Sequence, residues 1–158
     1  MSDVDYDLLQ SQLHALLDGE TDALAATCNF VALLFTALHD VNWLGIYVLR
    51  DSELVLGPFQ GKPACVRIPT GQGVCGVAAS TRKTQRVANV GEFPGHIVCD
   101  ADSRSELVVP LLVDGKLIGV LDIDSPKLAR FAVADQQGIE QLCAVFCELL
   151  PSGDGRFI

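Results

Sequence analysis

The sequence predicts an α+β domain in which helices cover an antiparallel sheet of about six strands. Helical spacing of apolar residues at both ends, strand-like alternation between them, and an Asp114-Gly115 turn between two apolar runs predict this class. At 158 residues, 49% of them hydrophobic, the chain is long enough for one sizeable core. We expect a single domain over residues 1–158, with its core at about 5–150 and a short tail at 152–158.

Helical patterns open and close the chain. Four helices are predicted, at about residues 4–18 and 22–39, after a glycine-rich loop within 71–80, and at 134–150. The second helix follows Thr21 and Asp22, both good N-capping residues, and its apolar face includes Leu24 and Cys28.

Strand patterns fill the middle of the chain. Six strands are predicted, at residues 43–50, 53–60, 65–68, 85–89, 107–113 and 116–124. Residues 91–104 form the longest irregular segment, and loops of that length in a compact domain are usually functional. The order of two helices, three strands, a short helix, three strands and a last helix is typical of an α+β domain.

The charge balance and the N-terminus narrow the class of protein. A net charge of −9 argues against nucleic acid or an anionic membrane as a partner. The acidic N-terminus has no apolar core of a secretory signal, and no apolar run has the length of a membrane span. We therefore expect a cytoplasmic protein, in which six cysteines are reactive, metal-binding or buried rather than a disulfide framework.

The six cysteines fall into two groups. Three lie in helices among apolar neighbours and are expected in the core: Cys28, Cys143 and Cys147. Three lie in polar, turn-rich segments, where thiolates form and react: Cys65, Cys75 and Cys99. The second group predicts thiol chemistry.

Cys99 is the strongest candidate nucleophile because it ends the long loop, three residues after His96. The adjacent Asp100 opposes ionisation of the thiol, and His96 is expected to position the loop through its backbone. Cys75 lies where a glycine loop enters a helix, so the positive helix end should lower its pKa. One nucleophile with one or two nearby thiols, such as Cys65, converts a sulfenic acid into a disulfide.

A zinc site is the main alternative for these residues. His96, Cys99, Cys65 and Cys75 offer four ligands of the right types. The chain has no Cys-x-x-Cys pair, which structural zinc sites normally use, so thiol chemistry is favoured.

Carboxylates form the second group of candidate site residues. Asp122 and Asp124 alternate with apolar residues and therefore project from one sheet face, although a solvent-facing strand would show the same pattern. A strict two-residue hairpin pairs residue 107 with 122 and places Glu106 on the opposite face. If all three acids line one pocket, the hairpin contains a longer turn or a bulge, for which Pro110 is a plausible position.

Several segments resemble free methionine-(R)-sulfoxide reductases, which are single GAF domains. The resemblance covers about residues 5–150 and is carried by NWLGIY (42–47), LGPFQGKPACVRI (56–68), GQGVCG (71–76), FPGHIVCD (93–100), SE (105–106) and GVLDIDS (119–125). It implies that Cys99 attacks the sulfoxide sulfur, releases methionine and becomes a sulfenic acid. Cys65 is then the resolving thiol, with Cys75 an alternative, and thioredoxin reduces the disulfide.

The same resemblance assigns the other site residues. Glu106, Asp122 and Asp124 match carboxylates that bind substrate and help to protonate the sulfoxide oxygen, and Trp43 would contact the methyl group. An acidic pocket also suits the α-ammonium of a free amino acid. No metal or organic cofactor is required, and the family implies a homodimer. Two other classes stay open, a ligand-binding GAF sensor and a generic thiol peroxidase.

Overall fold

The computed structural model describes residues 3–151 and 157–158, and its architecture confirms the predicted α+β class. Its α-helices are α1 (Tyr6–Leu17), α2 (Ala23–Ala37), α3 (Gly73–Thr81) and α4 (Val133–Leu149). Its strands are β1 (Trp43–Arg50), β2 (Glu53–Gln60), β3 (Arg67–Pro69), β4 (Gln85–Val87), β5 (Ser105–Val113) and β6 (Lys116–Ser125). A 3-10 turn at Val90–Glu92 begins the long loop between β4 and β5.

The six strands form one sheet in the order β3-β2-β1-β6-β5-β4, with every neighbouring pair antiparallel. Alternation along β1 separates its two faces: Leu44 and Ile46 join the core under the long helices, whereas Trp43 and Tyr47 join a second cluster under α3. Helices α2 and α4 pack on the first face, and α1 packs against both of them. The second face, partly covered by α3, carries the candidate site.

Apolar packing between α2 and α4 forms the centre of the larger core. The rings of Phe30 and Phe146 stack with centroids 4.2 Å apart, and both side chains are fully buried. Cys143 and Cys147 are buried on α4, as predicted. At the start of α2, Asp22 Oδ1 accepts a hydrogen bond from the Ala25 amide at 2.8 Å, which is the predicted N-cap.

The prediction that Cys28 is a core residue is wrong. Cys28 is exposed, and so is Leu24 one turn before it. The buried stripe of α2 instead follows Ala26, Phe30 and Leu34. Because apolar residues surround much of this helix, the sequence pattern defines too broad a face, and only packing against the sheet selects the buried side.

The last two residues, Phe157 and Ile158, also pack on the domain. Of the predicted tail 152–158, residues 152–156 lie outside the described residues. The ring of Phe157 lies 6.3 Å from that of Phe146, and the carbonyl of Ile158 accepts a hydrogen bond from Arg50. Among the described helices, none combines the length and the apolar character that crossing a bilayer would require.

A glycine on α4 lets α1 approach closely. A Cβ at Gly138 would collide with the ring of Tyr6, whose hydroxyl donates to Asp135 Oδ1 at 2.7 Å. The second oxygen of buried Asp135 accepts from the Ala132 amide at 2.9 Å and lies 3.2 Å from Arg130 Nη1. This contact therefore ties α1 to the start of α4.

We predict that Gly138→Ala lowers the free energy of unfolding by about 1–3 kcal/mol, because the added methyl group overpacks the contact with Tyr6. Helix propensity alone would give the opposite sign, a gain of about 1 kcal/mol. Urea unfolding measures the change. In a Tyr6→Ala background the collision is removed, so Gly138→Ala should become neutral or stabilising; equal losses in both backgrounds would contradict this account.

Candidate active site

The register of the β5–β6 hairpin places the three predicted carboxylates on one face. Glu106 pairs directly with Asp124, and Asp122 lies two residues before Asp124 on the same strand. A strict hairpin would have turned Glu106 away, but the register shifts between Leu111 and Leu112. This bulge adds one residue to β6 and brings all three acids together.

Burial raises the pKa of each of the three carboxyl groups. Glu106 and Asp122 are only 5% and 6% exposed, so neither acid lies on a solvent-facing side of its strand. Burial, followed by the charges of Asp122 and Asp124, raises the pKa of Glu106 well above its usual range. Burial raises the pKa of Asp122 to about 6, and burial with the Asp122 and Asp100 charges raises the pKa of Asp124.

Cys75 belongs to this acidic cluster. Its Sγ lies 3.9 Å from Glu106 Oε1, and the residue is 4% exposed. The prediction that the helix end lowers its pKa is wrong: burial and then the charges of Asp122 and Glu106 raise the pKa of this thiol well above its usual range. The helix terminus contributes at most about 1–2 kcal/mol, which these two effects outweigh.

A disulfide joins Cys65 to Cys99, with the two Cα atoms 5.5 Å apart. The bond connects the loop before β3 with the long loop before β5, across 34 residues of sequence. The four residues of the zinc alternative are therefore not brought together as ligands. Cys65 and Cys99 bond to each other, while Cys75 clusters with the carboxyl groups instead.

Side chains from β1 hold the loop of Cys65. The indole Nε1 of Trp43 donates to the carbonyl of Lys62 at 3.1 Å, and the Tyr47 hydroxyl donates to the carbonyl of Cys65 at 2.9 Å. Trp43 also stacks on Tyr47, with ring centroids 5.8 Å apart. Sequence reasoning singled out Trp43 and missed Tyr47, although the period of two along β1 puts both on the same face.

Polar contacts hold the loop of Cys99 from the other side. Asn42 Nδ2 lies within 3.2 Å of both Asp100 Oδ2 and Ser103 Oγ, to which it donates. Lys62 Nζ and Asp102 Oδ2 form an exposed ion pair of 2.7 Å between the two loops. Neither Asn42 nor Ser103 was predicted, because a polar loop residue has no periodicity that would single it out.

A small cavity lies between the disulfide and the acids. It has a volume of about 30 Å³ and is bordered by Cys99, Cys75, Glu106 and Asp122, among others. A second space of about 20 Å³ beside Trp43 shares several of these walls. In the described part of the chain neither lysine nor arginine lines the larger cavity. At about two water molecules, the space is too small for an amino acid the size of methionine sulfoxide.

His96 contributes its side chain to this cavity, whereas the sequence predicted a backbone role. Its Nε2 lies 3.7 Å from Glu106 Oε2, and the side chain is 14% exposed. Burial lowers the pKa of the imidazole, which favours its neutral form. The contact is therefore one between a neutral ring and a carboxyl group rather than a firm ion pair.

Comparisons with known proteins identify the family of the chain. The family model for the GAF domain matches residues 12–148. The free methionine-R-sulfoxide reductase of Escherichia coli (strain K12) is 52% identical over 146 residues, covering 92% of this chain and 88% of the relative. The structure of Staphylococcus aureus fRMsr in complex with substrate has a TM-score of 0.90 and 47% identity, covering 95% of this chain and 98% of that chain.

A second solved structure matches over a similar length. Free methionine-R-sulfoxide reductase from Neisseria meningitidis, in complex with its substrate, has a TM-score of 0.88 and 40% identity. The match covers 95% of this chain and 93% of that chain. With nearly full-length matches on both sides and the GAF family model across the fold, the chain belongs to the free methionine-(R)-sulfoxide reductase family of GAF-domain proteins.

Proposed function

We propose that this protein reduces free L-methionine-(R)-sulfoxide to methionine, with Cys99 as the nucleophile. One observation carries the proposal: Cys99, bonded to Cys65, borders the same small cavity as the buried acids. The names of the relatives at 52% and 40% identity support this substrate.

The chemistry proceeds in three balanced steps. The Cys99 thiol takes the oxygen atom from the sulfoxide sulfur, so that methionine leaves and Cys99 becomes a sulfenic acid. The Cys65 thiol then attacks that sulfur and expels water, which forms the disulfide. A dithiol reductant attacks the disulfide, becomes oxidised itself and restores both thiols. Cys75 stands as the alternative resolving thiol, but its raised pKa disfavours it because thiolates attack faster than thiols.

The three acids have two proposed roles, proton donation and binding of the α-ammonium group. Burial raises the pKa of Glu106 well above its usual range and so favours the protonated form, which makes Glu106 the proposed proton donor as the S–O bond breaks. Asp122 and Asp124, which project from the same face of β6, are the proposed partners of the α-ammonium group, and that cation would favour their ionised forms. A peptide-bound residue lacks that ammonium, which explains selection of the free amino acid. Trp43 borders the adjoining space and is the proposed contact for the methyl group.

The same proposal includes thioredoxin as the reductant, a homodimeric assembly and a cytoplasmic location. The family resemblance supports the first two. The cytoplasmic location is supported by the proposed chemistry, because the disulfide must be reduced in every turnover and the cytoplasm is a reducing compartment.

We expect the wild-type protein to turn over free methionine-(R)-sulfoxide with thioredoxin, and to leave the S epimer and peptide-bound sulfoxide nearly untouched. Cys99→Ser should abolish methionine formation because the attacking sulfur is absent. Cys65→Ser should form about one equivalent of methionine and then stall, because the raised pKa of the remaining alternative thiol, Cys75, makes it a poor resolving group. Methionine is quantified by chromatography alongside NADPH oxidation in the coupled assay.

The matched control is Cys28→Ser, which removes an exposed thiol outside the site and should leave turnover unchanged. Full activity in Cys99→Ser would refute the proposal. Reversible sulfoxide binding without turnover would favour the sensor class, and reaction of Cys99 with peroxide alone would favour the peroxidase class.

We predict that Glu106→Gln lowers kcat by about 10²–10⁴-fold, because the amide keeps the shape of the side chain but cannot give up a proton. Steady-state kinetics on the R epimer measures the effect. Glu92→Gln, which alters an exposed carboxylate of the neighbouring turn, is the control and should retain wild-type kcat. A Glu106→Gln enzyme with wild-type kcat would remove Glu106 from the proton-transfer step.

We predict that substrate binds only after the disulfide opens, since the cavity of the disulfide form is too small for it. Trp43 is the chain's one tryptophan, so its fluorescence reports on this site alone. Methionine sulfoxide should change the emission of Cys99→Ser, which cannot form the disulfide, and leave that of the oxidised wild type unchanged. Equal affinity for both proteins would show that the disulfide does not control access.

A further inference from the structure

A buried cluster of one thiol and two carboxyl groups lies at the meeting point of three elements. Cys75 comes from α3, Glu106 from β5 and Asp122 from β6. Their ligand-type atoms, one from each residue, all lie within 4.8 Å of one another, and all three residues are buried. The cluster is built by tertiary packing and does not involve the Cys65–Cys99 disulfide.

The donor types in this cluster match one class of ligand. Zn²⁺ binds cysteine sulfur and carboxylate oxygen, and sites with three protein ligands keep a fourth position open. Ca²⁺ and Mg²⁺ require oxygen ligands throughout, so the thiol disfavours them. The 3.9 Å separation of Cys75 Sγ from Glu106 Oε1 is close to the spacing of two ligands around one tetrahedral ion.

A second observation points to a cation at the same place. Asp122 is 6% exposed, yet its Oδ1 has no hydrogen-bond partner among residues 3–151 and 157–158. Such an orphaned carboxylate oxygen is costly in a buried site. Within the described residues, neither lysine nor arginine lines the cavity that this side chain borders. A metal ion would satisfy this oxygen, and the cavity of about 30 Å³ has room for an ion.

We propose that Cys75, Glu106 and Asp122 form a Zn²⁺ site whose occupancy excludes the sulfoxide from the pocket. The ion displaces the proton of the Cys75 thiol and that of any protonated carboxyl ligand, with no change of oxidation state. Exclusion of substrate rests on the proposed function, because Glu106 and Asp122 are the groups assigned to the amino acid. The Zn²⁺ site itself stands independently of that function.

The binding test uses the oxidised protein, in which Cys65 and Cys99 cannot act as ligands, in a Cys28→Ser background that removes the exposed thiol. Titration with ZnCl₂ should show one ion per chain. Cys75→Ser should weaken binding by more than the ~10–100-fold typical of losing an outer-shell contact. Titration with Co²⁺ should give a thiolate-to-metal charge-transfer band that Cys75→Ser abolishes.

Cys143→Ser is the matched control, because it removes another buried thiol, one on α4 and outside the cluster, and should leave Zn²⁺ affinity unchanged. Asp122→Asn provides a second test if Cys75→Ser does not fold, and it should also weaken binding. Wild-type affinity in either folded variant, or a cobalt complex without the thiolate band, would overturn the site.

The exclusion test uses the Cys65→Ser/Cys99→Ser protein, which cannot form the disulfide or turn over. Zn²⁺ should raise the apparent Kd for methionine-(R)-sulfoxide, as read from Trp43 fluorescence, in proportion to its concentration. Independent binding of the two ligands would overturn exclusion. Loss of sulfoxide binding altogether, with Cys75-dependent Zn²⁺ binding retained, would contradict the proposed function and leave the metal site in place.

Discussion

The constraint on which the whole site depends is the placement of three carboxyl groups on one face of the sheet, where Glu106 and Asp122 are buried and Asp124 is half-buried. Glu106 and Asp124 face each other across β5 and β6, and Asp122 lies beside them. This arrangement needs the bulge near Leu112, because a hairpin one residue shorter would turn Glu106 into the opposite core. Register therefore decides whether the chain has one acidic site or acids on both faces.

The two faces of the sheet contribute to stability in opposite directions. Under the long helices, close apolar packing such as that of Phe30 on Phe146 supplies the stability of the domain. On the other face, buried acids reduce stability above their unfolded-state pKa values, since the folded chain retains protons that the unfolded chain releases. A cation bound at this face would therefore offset the cost of burying these acids. An α-ammonium group and a metal ion are two cations that could do so.

The loops that carry Cys65 and Cys99 meet above this acidic face. Tyr47 and Trp43 hold the first loop from β1, and Asn42 holds the second. The cavity beside the disulfide has room for about two water molecules. The Cys65–Cys99 bond therefore lies directly beside the acidic groups, so the proposed redox cycle of these thiols would take place at the cavity itself.

The sequence by itself determined the local features. The bounds of β1 and β2, the Asp22 cap and the shared face of Asp122 and Asp124 follow from period and capping chemistry, which depend on near neighbours in the chain. The family resemblance added the pairing of Cys99 with Cys65, which spacing alone could not supply.

Tertiary structure decided the rest. The bulge that turns Glu106 inward, the exposure of Cys28, the side-chain role of His96 and the reversed pKa of Cys75 each depend on groups distant in sequence. A helix end lowers the pKa of a thiol in isolation, but Cys75 is surrounded by carboxyl groups from two other elements. Burial and charge are properties of the assembled surroundings, and no local pattern encodes them.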